Sequence, residues 1–253
     1  MKTAVLSQPV VSTQVTHPGG RIVFALLMRT LWFVVFGLLF VGLFAIAGNE
    51  HPLHAAERWW PFQAILANIV TFIFLRRWIR KEGGTYRSLF KIGKGELGIH
   101  VRQFLLFIVI GFALGAIPLY GASYLILGSF TPPDTMFQAL PLWAAIIALI
   151  VFPISNGLVE TPTYIGYALP RLQRMIPISW VAITLAGLAL AFQHVALPLV
   201  ADVPYMLWRF VSFIPLAIAL GFIYTRTKKL LPIAAAHSIM DLQLAGTVFL
   251  MSM

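Results

Sequence analysis

The chain has 253 residues, 60% of them hydrophobic and 10% charged, with a formal net charge of +10 and a mean hydropathy of +0.89. That composition excludes an ordinary soluble domain, and the absence of cysteine excludes disulfides, thiolate catalysis and cysteine metal sites. Several windows of about 18 or more nearly charge-free residues read as membrane-spanning helices, whereas the ~10-residue alternating segments of a transmembrane β-barrel are missing.

The fold class expected is therefore all-α: a polytopic membrane helix bundle of about seven transmembrane helices. Residues 1–20 are polar, close on Gly19-Gly20, and read as a flexible cytoplasmic tail, with 21–253 forming a single transmembrane domain. No small-residue cleavage site follows, so a cleaved signal peptide is not expected. Span one runs from about Ile22 or Thr30 to Gly48, with Arg29 near its start. A loop from Asn49 to Arg58 carries His51 and His54, which read as solvated loop residues. Span two opens on Trp59-Trp60, an expected interface anchor, and ends before Arg76-Arg77. Residues 76–102 hold eight Lys or Arg against two Glu.

Span three covers about Phe104 to Leu127. Its Gly111 and Gly115 form a small-residue pattern that predicts close helix packing. Pro132-Pro133-Asp134 predicts a turn. Span four begins near Phe137 and passes Pro153, Asn156 and Gly157 to Glu160. A short basic loop is expected at Arg171 and Arg174. Span five runs from about Ile178 to Val200 with His194 and Pro198, and span six from about Met206 to Tyr224. After a basic loop from Thr225 to Lys229, span seven starts at Leu230 and carries His237 and Asp241.

Counting Lys and Arg in the loops puts the N-terminus in the cytoplasm and the C-terminus outside. The positive charge then reads as cytoplasmic loops facing anionic lipid, with the bilayer as partner and no nucleic acid. Arg29 and Arg209 are expected to snorkel toward the interface.

Four ionisable residues stand out in or at the ends of apolar stretches: Glu160, His194, His237 and Asp241. A charge at the centre of a membrane helix costs roughly 2.5–3.5 kcal/mol on insertion scales, so such residues are functional candidates by default. His237 and Asp241 lie four apart and share a helix face. Ala234, Ala235, Ala236 and Ser238 around them allow another helix to come close. Asn156, Gly157 and Pro162 weaken regular helix beside Glu160, and Pro198 favours a kink after His194. A carboxylate and an imidazole together can take a proton from water attacking a carbonyl. A second imidazole with a carboxylate can stabilise the oxyanion that forms. The same four could instead bind Zn2+, so the cofactor is zinc or none. Neither HExxH nor an aspartate pair is present, and Gly121-Ala122-Ser123 is too short a signal for a serine nucleophile.

Residues 156–172, NGLVETPTYIGYALPRL, with AFQHVALPL at 191–199 and AAAHSIMDL at 234–242, resemble the CPBP family. These are the CAAX-processing and bacteriocin-related intramembrane endopeptidases, also called ABI or type II CAAX prenyl proteases. The family pattern is Glu-Glu-x-x-x-Arg-Gly, then Phe-x-x-x-His, then His-x-x-x-Asn/Asp, and the resemblance covers about residues 145–245. It implies that Glu160 and His194 activate water and that His237 with Asp241 holds the oxyanion. Aligned on Gly166, Thr161 stands in place of the second Glu, Ile165 in place of the Arg, and Leu190 in place of the Phe.

The expected function is an intramembrane peptidase acting on a peptide or membrane-protein substrate, in a bacterial plasma membrane. The alternative, motivated by Thr161 and Ile165, is a catalytically inactive pseudoprotease serving as membrane scaffold or immunity-type partner. A proton-coupled transporter would call for two related halves with broken spans, and no such symmetry is visible. One spacing is awkward. Counted at about 1.5 Å per residue from the basic ends, His194 lies deeper than His237. Bringing them together requires the turn 171–177 to stand beyond the inner surface, span five to tilt, or a boundary to move.

Overall fold

The computed structural model describes residues 19–253. The tail expected over residues 1–20 thus lies, through residue 18, outside the described residues, while Gly19 and Gly20 open the first helix. That helix, α1 (Gly19–Ile46), is followed by the short α2 (Pro52–Glu57) and then α3 (Trp60–Lys81). A 3-10 turn (Tyr86–Phe90) leads to α4 (Leu97–Leu127). Next come α5 (Leu142–Thr161), a π-helical segment (Pro162–Ala168) and α6 (Leu169–Met175), which together make one long rod. The chain finishes with α7 (Ser179–Phe192), a 3-10 turn (Gln193–Ala196), α8 (Val203–Thr227) and α9 (Leu230–Met251). Seven helical segments among the described residues are long and apolar enough to cross a membrane, and no strand occurs among them. The chain is an all-α integral membrane protein.

Local chemistry sets several of these ends. Asp202 caps α8 by accepting the Tyr205 amide at 2.6 Å, with Pro204 in the first turn, where a missing N–H costs nothing. Gly128 ends α4 in the left-handed region at φ 72°, which a residue without Cβ adopts freely. Pro141 precedes α5, so span four begins at Leu142 and not near Phe137.

The largest core cluster joins Phe33, Trp60, Ala64, Ala144, Ala148, Phe152, Ala245 and Val248, drawn from α1, α3, α5 and α9. Trp60 is fully enclosed there and donates its indole N–H to the Met136 carbonyl at 2.8 Å. It is a core residue, and the interface-anchor expectation fails for it. The reason is that an indole N–H can be satisfied by a loop carbonyl as well as by headgroups. The outward faces stay apolar, as with Val23, Leu27, Leu31 and Leu38 on α1, which suits a lipid solvent.

Small residues let α5 and α9 approach closely. A Cβ placed on Gly157 would stand 2.6 Å from the Ala234 carbonyl oxygen and would overlap the Ser238 side chain. Gly157→Ala is therefore expected to destabilise the bundle by about 1–3 kcal/mol, read as a lower midpoint of thermal unfolding in detergent. Gly111 packs in the same way on α9, since a Cβ there would lie 2.5 Å from the Met240 sulfur. The packing expected of the Gly111/Gly115 pattern is present.

Alternation of the helices gathers residues 82–96, 176–178 and 228–229 at one end, the basic end. There Glu82 binds Arg21 at 3.3 Å, Tyr167 at 3.0 Å and Arg171. Lys229 stands 2.7 Å from Glu96 and holds that carboxyl below its usual range, so the tie persists at neutral pH. The basic loop expected at Arg171 and Arg174 is helical instead, because α6 continues the rod to Met175. This resolves the awkward depth. Glu160 and His194 each lie about 22 Å along the helix from the 176–178 turn, whereas His237 is only about 10 Å from Leu230. The hairpin between α6 and α7 simply extends past the start of α9.

Candidate active site

Glu160 sits at the end of regular helix in α5. Pro162, two residues on, has no N–H to offer Leu158, and the orphaned Leu158 carbonyl accepts the Tyr86 hydroxyl at 2.7 Å. The helix widens into the π segment from this point, with Thr163 bonding back to the Val159 carbonyl at 2.6 Å. A π turn rotates the following residues and commonly marks functional sites. Glu160, just before this segment, faces Arg29 on α1 and His237 on α9.

His194 lies in span five as expected, in the 3-10 turn that continues α7. The carbonyls that the helix end leaves open need donors. His194 Nδ1 supplies one, 3.1 Å from the Leu190 oxygen and 3.2 Å from that of Ala191. Gln63 donates to the Ala196 carbonyl at 2.8 Å, and Arg209 to that of Leu197 at 3.1 Å. The His194 ring lies flat on Phe213, with centroids 3.7 Å apart and 3° between planes.

On α9, one helical turn places His237 and Asp241 together, with His237 Nε2 3.4 Å from Asp241 Oδ2 and 3.6 Å from Glu160 Oε1. The far ring nitrogen, Nδ1, meets the Thr161 hydroxyl at 2.9 Å. Asn156 donates to Asp241 Oδ2 at 2.8 Å. All four candidates line one cavity of about 650 Å3 between α4, α8 and α9. His237 is within reach of both Glu160 and Asp241, and His194 lines the same cavity.

Tautomers follow from these partners. With Nδ1–H given to backbone carbonyls, a neutral His194 keeps its lone pair on Nε2 and can accept a proton. His237 Nε2 looks at two carboxylates, so the proton belongs there, and Nδ1 accepts from the Thr161 hydroxyl. One imidazole is therefore set up as a base and the other as a donor.

The sequence reading missed Arg29. It is fully enclosed at mid-helix, not snorkelling, and its guanidinium spans four acceptors. Nη2 binds Glu160 Oε2 at 2.9 Å and Asn156 Oδ1 at 2.8 Å, Nε binds Gln193 Oε1 at 2.7 Å, and Nη1 binds Asn68 Oδ1. Arg209 does not snorkel either: it is 4% exposed and lines the cavity. Both were misplaced because a guanidinium near a span end has two options, headgroup or internal partner, and hydropathy does not separate them. The signal that selected Glu160, a charge within an apolar helix, applies equally to Arg29.

The expected support residues also change. Ile165, where the resemblance calls for Arg, is wholly enclosed among Leu190, Ala191 and Leu230. The guanidinium reaches Glu160 from α1 instead, and Thr161 supports His237 in place of a second carboxylate. The zinc arrangement does not fit this geometry. Among the described residues no group of three His, Asp or Glu side chains is arranged to hold a metal ion, and one Glu160 oxygen is committed to Arg29. Ser123 is buried in α4 and does not line the cavity. His54 is mostly exposed and bonds Glu57 at 3.0 Å, but it lies in the short helix α2 and not in a loop.

Compared with known proteins, residues 141–243 match the family described as type II CAAX prenyl endopeptidase Rce1-like. The match contains Glu160, His194, His237 and Asp241 and leaves Arg29 outside. No curated protein and no solved structure gives a match to the chain.

Proposed function

We propose, from a chain whose residues 141–243 carry the match to CAAX-protease-type membrane peptidases, that this protein hydrolyses a peptide bond within the membrane. The observation that carries the reading is the convergence of Glu160, His194, His237 and Asp241 on one cavity. Water held between the Glu160 carboxylate and the Nε2 lone pair of His194 attacks the scissile carbonyl, and His194 takes its proton. The carbonyl oxygen gains negative charge and is met by His237 Nε2–H, whose orientation Thr161 and Asp241 fix. His194 then returns the proton to the leaving amine. Arg29 and Asn156 hold Glu160 and Asp241 in place without touching substrate.

The sidedness that follows from the basic end is cytoplasmic for residues 82–96 and 228–229, with α9 ending outside. The pseudoprotease reading rested on the absent Glu and Arg; a guanidinium on Glu160 and a hydroxyl on His237 weaken that ground. The deciding experiment compares cleavage of membrane-segment peptides by the purified protein and its Glu160→Ala variant. Cleavage is expected to disappear in the variant while the protein stays monodisperse. Equal cleavage by both overturns the mechanism.

A further inference from the structure

Among the described residues, the cavity that gathers the four site residues is closed toward one end and open toward the other. Toward the basic end its floor is the cluster of Phe107 on α4 with Ile233 and Ala236 on α9, against which Phe104, Leu220 and Ile223 pack. Phe107, Ile233 and Ala236 are each 4% exposed or less, and all three helices that wall the cavity contribute to this layer. Toward the far end the wall changes character. Thr131 and Asp134, in the turn after α4, and Gln243 on α9 line the cavity and are themselves exposed. Thr247 and Met251 carry the lining to the last turn of α9. From His237 to Met251 the helix rises about 21 Å, which is the length of the passage from site to mouth.

We infer that the site is filled from the end opposite the basic loops, so that its substrate is a polypeptide presented on that face, the outer one under the sidedness above. A peptide segment carries an N–H and a C=O at nearly every residue, and each is costly to strip of its partners in an apolar layer. Passing such a segment through the floor of Phe107, Ile233 and Ala236 would impose that cost and force a close-packed cluster apart. At the far end the hydroxyls of Thr131 and Thr247, the amide of Gln243 and the carboxylate of Asp134 offer partners along the way in. The water consumed in hydrolysis enters by the same route. A strand reaching from the mouth to His237 needs roughly six extended residues, so the bond that is cut lies about that far from the point of entry. The inference rests on the peptidase reading for what enters, while the route itself is tested without any cleavage.

The chain has no cysteine, so a thiol introduced at one position reports on that position alone. Lys94→Cys, in the exposed turn before α4, marks the basic end, and Met253→Cys, at a position 77% exposed, marks the other. Leu216→Cys and Met240→Cys stand deep in the cavity, and Thr247→Cys near its mouth. The full chain in sealed membrane vesicles is treated from either side with a charged, membrane-impermeant methanethiosulfonate. All three cavity thiols are expected to react at least about tenfold faster from the side that labels Met253→Cys than from the side that labels Lys94→Cys, since thiol reactivity follows access. Each face carries its own marker, so the result does not depend on how the protein is inserted. Two deep positions are used so that one misfolded variant does not shelter the inference. Faster reaction from the Lys94 side, equal reaction from both, reaction at Thr247→Cys alone, or no reaction overturns it. So does reaction only with a lipid-soluble maleimide, which assigns entry from within the bilayer. Labelling of all three from the Met253 side in a protein that cleaves no peptide keeps the route and loses the hydrolytic reading.

Discussion

Replacing Arg29 with Met is expected to lower stability by about 3–5 kcal/mol, the range for removing one partner of a buried ion pair. That is a large share of the roughly 5–15 kcal/mol that holds a domain together. The substitution approximates the side chain's length and apolar stem but removes its donors from Glu160, Asn156, Gln193 and Asn68 at one stroke. Glu160 is 2% exposed and would be left with the His237 imidazole, 3.6 Å away, as its nearest ionisable partner. Thermal unfolding of the purified protein checks the size of the loss. The double variant Arg29→Met, Glu160→Leu is expected to recover part of it, since no lone charge remains, and the residual deficit belongs to the three stranded amides. Arg29→Lys should fall between, because an ammonium keeps the charge but lacks the planar fork that reaches four acceptors. If Arg29→Met unfolds at the wild-type temperature, the guanidinium is not what holds α1 to α5 and the 3-10 turn.

The two histidines are expected to differ in kind as well as degree. His194→Asn removes the lone pair that faces the cavity and should slow single-turnover cleavage by about 10²–10⁴-fold. His237→Gln removes the Nε2–H donor, a loss of about 10²–10³-fold for one oxyanion contact. The double variant should be little slower than His194→Asn alone, because groups acting on one transition state do not contribute independently. Both rates are measured on whichever peptide the Glu160→Ala comparison establishes as substrate. A His194→Asn protein that cleaves at the wild-type rate would remove that imidazole from the chemistry.

Much of this architecture was legible before any coordinates. Apolar windows gave the seven spans, since a lipid solvent leaves the backbone few alternatives to helix. The 3.6-residue period placed His237 beside Asp241, and the small residues at 234–238 announced the close approach of another helix, which proves to be α5. Boundaries were less visible. Arg76, Arg77 and Arg80 all lie inside α3, and Arg171 and Arg174 inside α6, because helices persist beyond the hydrocarbon layer where basic side chains are welcome. The electrostatic support of the site was invisible for a different reason. Arg29 and Glu160 are 131 positions apart, so their 2.9 Å contact is a product of tertiary packing that no local pattern encodes. Thr161 illustrates the same limit. Read along the chain it is a lost carboxylate; in three dimensions its hydroxyl is the partner of His237 Nδ1.

The helix that answers the buried carboxylate lies far upstream of residues 141–243, the segment that matches the peptidase family. Genetic excision of residues 141–253 would thus isolate all four candidate side chains yet strand Glu160 beside an empty groove. The amino-terminal helix behaves like a built-in prosthetic part, and its insertion into the bilayer becomes a step in assembling the candidate site. A chain whose first span is delayed, misoriented or swapped for a generic hydrophobic anchor would reach the membrane and still never mature.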